Sequence, residues 1–352
     1  MATPSVHPSG AHLSGEFEEV HYVADRASGL RAIVVLHDTA AGPALGGIRC
    51  ARYADEAAAL ADACALARGM TRKVLLAELP CGGGKAVILD HPGLDRRAAY
   101  AALGRHIERM GGRFWTAGDL GTTACDLAVV AGATRYVATR EHGVEDDLAL
   151  ATAEGVFLAA GVALELLGVD EWKGQRIAIQ GLGAIGLHLA ILARRAGARV
   201  IATDLDAARS GRAADTLPLQ IVEPDQIWDA DCEVFAPCAA GGVIDLGMAE
   251  RLRCRIVCGA ANQPLADDAA GDRLAARGIL FAPDLIVNAG AVIRGCAPAL
   301  PGFEPPPDLS GIGARLRKVV LDAWAAKAAP FRLARERADA RLAERRVRGA
   351  SG

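Results

Sequence analysis

Arg176-Ile177-Ala178-Ile179-Gln180-Gly181-Leu182-Gly183-Ala184-Ile185-Gly186 decides the fold of this chain. An apolar strand pattern runs into three glycines spaced G-x-G-x-x-G, and a helical stretch through Arg195 follows. The chain holds 40 glycines, so the spacing alone is weak, and a glycine-rich strand–helix turn without a ligand reads the same way. Its context is stronger. A second strand, RVIATD, ends in Asp204, eighteen residues past Gly186, close to the roughly 20 expected of a ribose-binding acid. Gly181 would allow the tight turn, and Gly183 would let the backbone approach a pyrophosphate. The helix opening at Ala184 and Ile185 would offer that anion its N–H groups, with Gly186 completing the motif. Asp204 would accept hydrogen bonds from the adenosine ribose and repel a 2′-phosphate, so the expected cofactor is NAD rather than NADP.

Downstream, CEVFAP, RIVCGAA and ILFAPD continue an alternation of strands with helices, which predicts a parallel, doubly wound Rossmann-type sheet. A long apolar helix at 148–168 connects into it. Upstream, Val20–Ala24 and Leu30–His37 read as a hairpin around Arg26-Ala27-Ser28-Gly29. Asp55 reads as the N-cap of an alanine-rich helix to about Gly69. A strand-like run, Lys73–Leu79, leads to Cys81-Gly82-Gly83-Gly84-Lys85, with a helix over Asp95–Met110 and a strand at Phe114–Thr116. At 352 residues the chain exceeds what one core serves comfortably, so two domains are expected. These are an N-terminal α/β domain over 1–145 and a dinucleotide domain over 146–309. Residues 310–352 are expected to pack back on the first as a C-terminal helix, its arginines at 332–348 forming a solvated face or an oligomer contact.

Composition narrows the function. A formal net charge of −3 gives no electrostatic case for nucleic acid or an anionic membrane. Nine scattered cysteines lack C-x₂-C spacing and eight histidines lack metal spacing, so no metal is expected and the thiols read as buried in a reducing cytosol. The N-terminus lacks a signal-peptide pattern, and the longest apolar segment, Leu148–Val169, contains Glu154 and Glu165, which favours a buried helix over a membrane span. A cytoplasmic protein is expected.

In the first domain, Gly82–Lys85 is not a phosphate-binding P-loop, because Leu79 and Ala86 stand where Gly and Ser or Thr are required. The glycines would instead open room for a substrate. Lys85 against an apolar wall, with Lys73 twelve positions earlier, would have its pKa lowered toward use as a general base. Composition alone equally allows a surface lysine after a turn.

The order of His37-Asp38-Thr39, Gly42–Gly47, Gly69–Lys73, Gly82–Lys85, Thr116-Ala117-Gly118-Asp119, Gly181–Gly186, Phe235–Ala239, Gly259–Asn262, Ala282–Asp284 and Asn288–Gly290 resembles the glutamate/leucine/phenylalanine/valine dehydrogenase family. The resemblance covers roughly residues 18–295, closest to the leucine, valine and phenylalanine branch, and implies a cleft between the two domains. It implies Lys85 as the catalytic lysine that activates water, Asp119 as the acid exchanging protons with the amino group, and Lys73, with Gly46 and Met70, as binders of the substrate. It implies a side-chain pocket at Leu45, Ala117, Val292 and Gly295, and cofactor contacts at Thr152, Ala239, Ala260, Ala261, Asn262 and Asn288. Glutamate-specific relatives carry a lysine where Leu45 stands, and burying a carboxylate there unpaired is costly. The implied reaction is NAD-dependent oxidative deamination of a branched-chain aliphatic or aromatic L-amino acid to the 2-oxo acid and ammonia, by a homo-oligomer, dimer or octamer. Departures lie at Glu145–Leu150, Asn262-Gln263, Asn288–Ala291 and Arg294–Pro298, where Pro298 should end a helix early. They leave open a specialised biosynthetic substrate or a non-catalytic NAD-binding sensor.

Overall fold

The computed structural model describes residues 15–138, 147–296 and 308–349. They fall into two compact units: 15–138 with 295–296 and 338–349, and 147–294 with 308–337.

The first unit opens with β1 (Glu19–Asp25), β2 (Leu30–Asp38) and β3 (Ala44–Ala51), then α1 (Glu56–Leu76) and β4 (Gly82–Leu89). After them come α2 (Arg96–Arg109), β5 (Phe114–Gly118) and α3 (Ala124–Ala131). The strands order β1-β2-β4-β3-β5, antiparallel across β1-β2-β4 and parallel across β4-β3-β5. Side chains alternate across this mixed sheet. Leu30, Ala32, Val34, Ile48 and Ala86 pack with α2, whereas Ile33, Val35, Val87 and Leu89 pack with α1. Asp55 and Asp95 cap α1 and α2 through bonds from Ala58 N–H and Ala98 N–H, so these starts follow local chemistry.

Two expectations fail here. Lys73–Leu79 is not a strand, because α1 continues to Leu76 with Val74, Leu75 and Leu76 all buried; a fully apolar run has no period to separate helix from strand. The glycines before Lys85 do not open room for a substrate. A Cβ on Gly82 would lie 1.6 Å from the Asp38 carbonyl oxygen, and one on Gly83 would lie 2.1 Å from Thr71 N. They exist so that α1 and β2 can press onto β4.

The second unit begins with α4 (Leu148–Leu166), β6 (Arg176–Gln180), α5 (Ala184–Arg195), β7 (Arg199–Thr203), α6 (Ala207–Thr216) and β8 (Leu219–Ile221). It continues with β9 (Val234–Pro237), α7 (Leu246–Arg251), β10 (Ile256–Val257), α8 (Asp268–Ala276), β11 (Leu280–Phe281), α9 (Asp284–Val287) and α10 (Gly290–Cys296). Two helices, α11 (Ser310–Ala325) and α12 (Pro330–Gly349), end the chain. Six parallel strands order β11-β10-β9-β6-β7-β8, the doubly wound arrangement read from the sequence. The order reverses between β6 and β9, which is where open α/β sheets bind ligands. Among the described residues, α4 alone is long and apolar enough to cross a membrane, yet Ala151, Gly155, Val156, Ala159 and Ala163 are buried against neighbouring elements.

The described residues of 310–352 do not act as one segment on the first unit. Ile312, Leu316, Val319 and Val320 of α11 are buried and the helix packs on α4, so 308–337 belong to the second unit. Only 338–349 join the first. There Arg345 donates to the carbonyls of Leu79 and Cys81, Arg341 to that of Leu75, and Arg346 to those of Glu16 and His37. Arg332 and Arg335 pair with Asp268 and Asp272 in the second unit. Arg332, Arg335, Arg341, Arg345 and Arg346 therefore make contacts within the chain and are not a plain solvated face. The Glu145-Asp146 segment and Pro298 lie outside the described residues.

Candidate active site

In the first unit, β3, β4 and β5 bring one row of side chains to the face covered by α1. The registers Leu45↔Gly83 and Ile48↔Ala86, with Gly47↔Ala117, line up Lys85, Gly47 and Ala117 across three strands. A Cβ on Gly47 would lie 2.9 Å from the Asp119 Cβ, so glycine there lets Asp119 fold over β3 toward Lys85. The Lys85 Nζ donates to Asp119 Oδ2 at 2.9 Å, and Lys85 is 4% exposed. Arg49 Nε donates to the same oxygen at 2.9 Å. Arg49 in turn reaches Asp62 through Nη1 at 3.1 Å, and Tyr53 donates its hydroxyl to Asp62 at 2.6 Å.

The electrostatics follow from burial. Desolvation pushes the Lys85 ammonium below the ordinary lysine range, against the pull of Asp119, while the Arg49 guanidinium pushes the same way as burial. Burial alone would raise the Asp119 carboxyl, but Lys85 and Arg49 together outweigh it and hold it at about 2. A cation acting on Lys85 is thus Arg49, which the sequence reading did not single out. Nothing in the glycine and lysine spacing pointed to Arg49, Asp62 or Tyr53. The only trace was an arginine inside an apolar strand. Lys73 is 7% exposed near the end of α1, three residues from the half-buried Met70, while Gly46 and Leu45 are buried and Ala117 half-buried. His37 is structural: its Nδ1 meets the Thr71 hydroxyl at 2.8 Å, and burial holds its pKa at about 4.

In the second unit the three glycines differ in their surroundings. Gly181 has φ +100°, and a Cβ there would press on Ala239 at 2.9 Å. A Cβ on Gly186 would lie 1.9 Å from the Gly181 carbonyl oxygen, so this glycine closes helix onto strand. Around Gly183 a Cβ meets nothing within 4 Å. Gly183 is also the N-cap of α5, and no side chain caps the helix. Free amides beside open space suit a pyrophosphate, whereas a turn built only for packing would be filled.

Beyond the loop, Ala261 N–H donates to the Pro237 carbonyl, and Asn288 Nδ2 donates to the Ala260 carbonyl at 3.1 Å and to Asn262 Oδ1 at 3.0 Å. Asn288 Oδ1 is buried and unpartnered among the described residues, an acceptor suited to a polar group such as a carboxamide. Gly290 sits tightly on α4 at Ala151 and Thr152, whose hydroxyl donates to the Leu148 carbonyl. The structure therefore gathers Gly181–Gly186, Ala239, Ala260–Asn262, Asn288 and Thr152 along the strand ends of one sheet. Asp204 accepts from Leu182 N–H and Asp206 N–H and pairs with Arg209 at 3.1 Å, a partner the sequence reading did not foresee. Val292 belongs to this unit and Gly295 to the first, both buried on α10. Among the described residues no cluster of His, Cys, Asp and Glu could hold a metal.

A doubly wound dinucleotide fold carried with a buried lysine–aspartate pair defines an oxidoreductase. Comparison with known proteins places it further. Residues 17–136 match the Glu/Leu/Phe/Val dehydrogenase dimerisation domain, and 143–208 with 206–296 match Glutamate/Leucine/Phenylalanine/Valine dehydrogenase. Leucine dehydrogenase of Thermoactinomyces intermedius is 40% identical over 283 residues, 79% of this chain and 77% of that protein. Valine dehydrogenase of Streptomyces albus is 40% identical over 297 residues, 82% and 81% of the two chains. The crystal structure of L-tryptophan dehydrogenase from Nostoc punctiforme matches with a TM-score of 0.76 at 31% identity, covering 94% of this chain and 97% of that one. The chain belongs to the Glu/Leu/Phe/Val dehydrogenase family. It is an amino-acid dehydrogenase acting on CH–NH₂ with an NAD(P) cofactor, and it carries the family's dimerisation domain.

Proposed function

We propose that the protein oxidatively deaminates a neutral L-amino acid, branched-chain aliphatic or aromatic, with NAD. The observation that carries this reading is the buried Lys85–Asp119 contact at 2.9 Å, a base and an acid held together out of water. When bound, the dinucleotide supplies a hydride acceptor, and Gly181–Gly186, Asp204 and Asn288 would hold it. Lys73 neutralises the substrate α-carboxylate. Asp119 exchanges protons with the substrate amino group, and Lys85, as a neutral amine, takes a proton from the water that attacks the oxidised carbon. Leu45 is fully buried and apolar, so a second carboxylate on the substrate would have no partner there. The names of the relatives, leucine, valine, phenylalanine and tryptophan dehydrogenases, agree with neutral side chains. Ala117 joins Leu45 in the part of the proposed pocket that the first unit supplies, with Gly46 and Met70 beside the lysines.

Asp204 favours NAD, because a 2′-phosphate would meet a carboxylate, although Arg209 offsets part of that charge. The dimerisation-domain match supports a homo-oligomer, dimer or octamer, and the eight described cysteines, all free, suit the cytoplasm. The test is reduced-cofactor formation across a panel of L-amino acids, with NAD and NADP in parallel and Lys85→Ala as control. Turnover on leucine, valine or phenylalanine with NAD, lost in the variant, is the expected result. Dinucleotide binding without oxidation of any amino acid would put a non-catalytic sensor in its place.

A further inference from the structure

Lys85 and Arg49 donate to the same oxygen of Asp119, Oδ2, each at 2.9 Å. The other carboxylate oxygen has no partner among the described residues. Arg49 is itself anchored: its Nη1 donates to both oxygens of Asp62, at 3.1 and 3.3 Å, and Tyr53 donates to Asp62 Oδ2 at 2.6 Å. Arg49 stands on β3, Asp62 on α1, and Asp119 just beyond β5, so three elements converge on one buried lysine.

A buried lysine–carboxylate pair on its own makes a poor base. Removing the lysine proton would leave an unpaired anion out of water, so the pair keeps its proton. A guanidinium is never deprotonated in a protein, so a second, permanent cation on the same oxygen removes that obstacle.

We propose that Arg49, anchored by Asp62, is a positioning residue for the reaction: it keeps Asp119 paired and anionic in the state where Lys85 has given up its proton. The inference rests on the reading of Lys85 as the base. The elements around Lys85 carry Arg49 on β3, Asp119 after β5, Asp62 and Lys73 on α1 and His37 on β2, together with Glu56, Arg68 and Arg72 on α1 and Arg31 and Asp38 on β2; of these, Asp119, Arg49 and Asp62 act most strongly on its charge. His37 is neutral near pH 7, because burial holds its pKa at about 4. Arg49 and Asp62 therefore act on Lys85 with opposite signs, which gives the inference a test that a merely structural role does not pass.

The readout is the pH profile of kcat/KM for oxidation of the best L-amino acid by the full-length enzyme, alongside thermal melts. Substrate titration is common to all variants, so shifts between them belong to the enzyme. Arg49→Gln moves the rising limb up by about 1 pH unit, a roughly tenfold loss below the limb that recovers at high pH. Arg49→Lys keeps the charge and moves the limb less. Asp62→Asn removes an anion and moves the limb down. If Arg49→Gln does not fold, the direction of the Asp62→Asn shift decides alone. Limbs that stay in place or move the same way, with Lys85→Met inactive, overturn this inference only. Wild-type turnover in Lys85→Met overturns the base reading and this inference with it.

Discussion

Replacing Gly183 and Gly186 separately by alanine should divide dinucleotide binding from folding. At Gly186 the new methyl would lie 1.9 Å from the Gly181 carbonyl oxygen and 3.4 Å from the Cys238 Cβ. That carbonyl cannot swing away easily: Gly181 holds φ +100°, and its N–H is bonded to the Thr203 carbonyl at 2.8 Å. Overpacking against fixed backbone costs about 3 kcal/mol, at the top of the usual range, and the helix propensity gained returns about 1 kcal/mol. A net loss of about 2 kcal/mol lowers the melting temperature of a unit this size by roughly 4–8 °C. At Gly183 the methyl meets nothing within 4 Å, and φ is −65°, which alanine adopts freely. The cost there is about 0.5 kcal/mol for a poorer N-cap, a shift of about 1–2 °C. On the proposed reading the same methyl would occupy the approach of the phosphates to the backbone, so NADH binding should weaken at least about tenfold, or ~1.4 kcal/mol. Melting curves without ligand and NADH fluorescence titrations measure both quantities. Wild-type affinity in Gly183→Ala, or a wild-type melting temperature in Gly186→Ala, would refute the reasoning.

Two further outcomes follow from the first unit. His37 has a folded pKa of about 4 against an ordinary 6.5, so below pH 6.5 the unfolded chain binds the proton preferentially and stability falls until pH reaches about 4. Urea titrations from pH 7 to 4.5 should show a loss that His37→Gln reduces by about 1–3 kcal/mol, and an identical slope in the variant would dismiss the histidine as its source. Arg345 donates to the Leu79 and Cys81 carbonyls at 3.1 Å each, so Arg345→Met should destabilise the protein by about 1.5–3 kcal/mol; a change within about 0.5 kcal/mol, as at an ordinary surface site, would restore the solvated-face reading.

The sequence by itself determined what depends on neighbours along the chain. The strand–glycine–helix at 176–195, the hairpin at 20–37 and the Asp55 cap are settled within a few residues, and all three appear where they were read. The motif order also carried the family, because each short segment keeps its own spacing. Only the tertiary structure decided the rest. Lys73–Leu79 has no period of its own, so its packing on β4 chose helix over strand. Arg49 reaches Asp119 across 70 residues and Arg345 reaches Cys81 across 264, and no local pattern records such pairings. The glycines before Lys85 looked like room for a ligand because sequence shows an absent side chain and not what fills its place. In the folded chain backbone fills it at Gly82 and Gly83, while at Gly183 the space stays open. Which glycine makes room and which one closes a contact is fixed by the elements packed against it, and those come from distant parts of the chain.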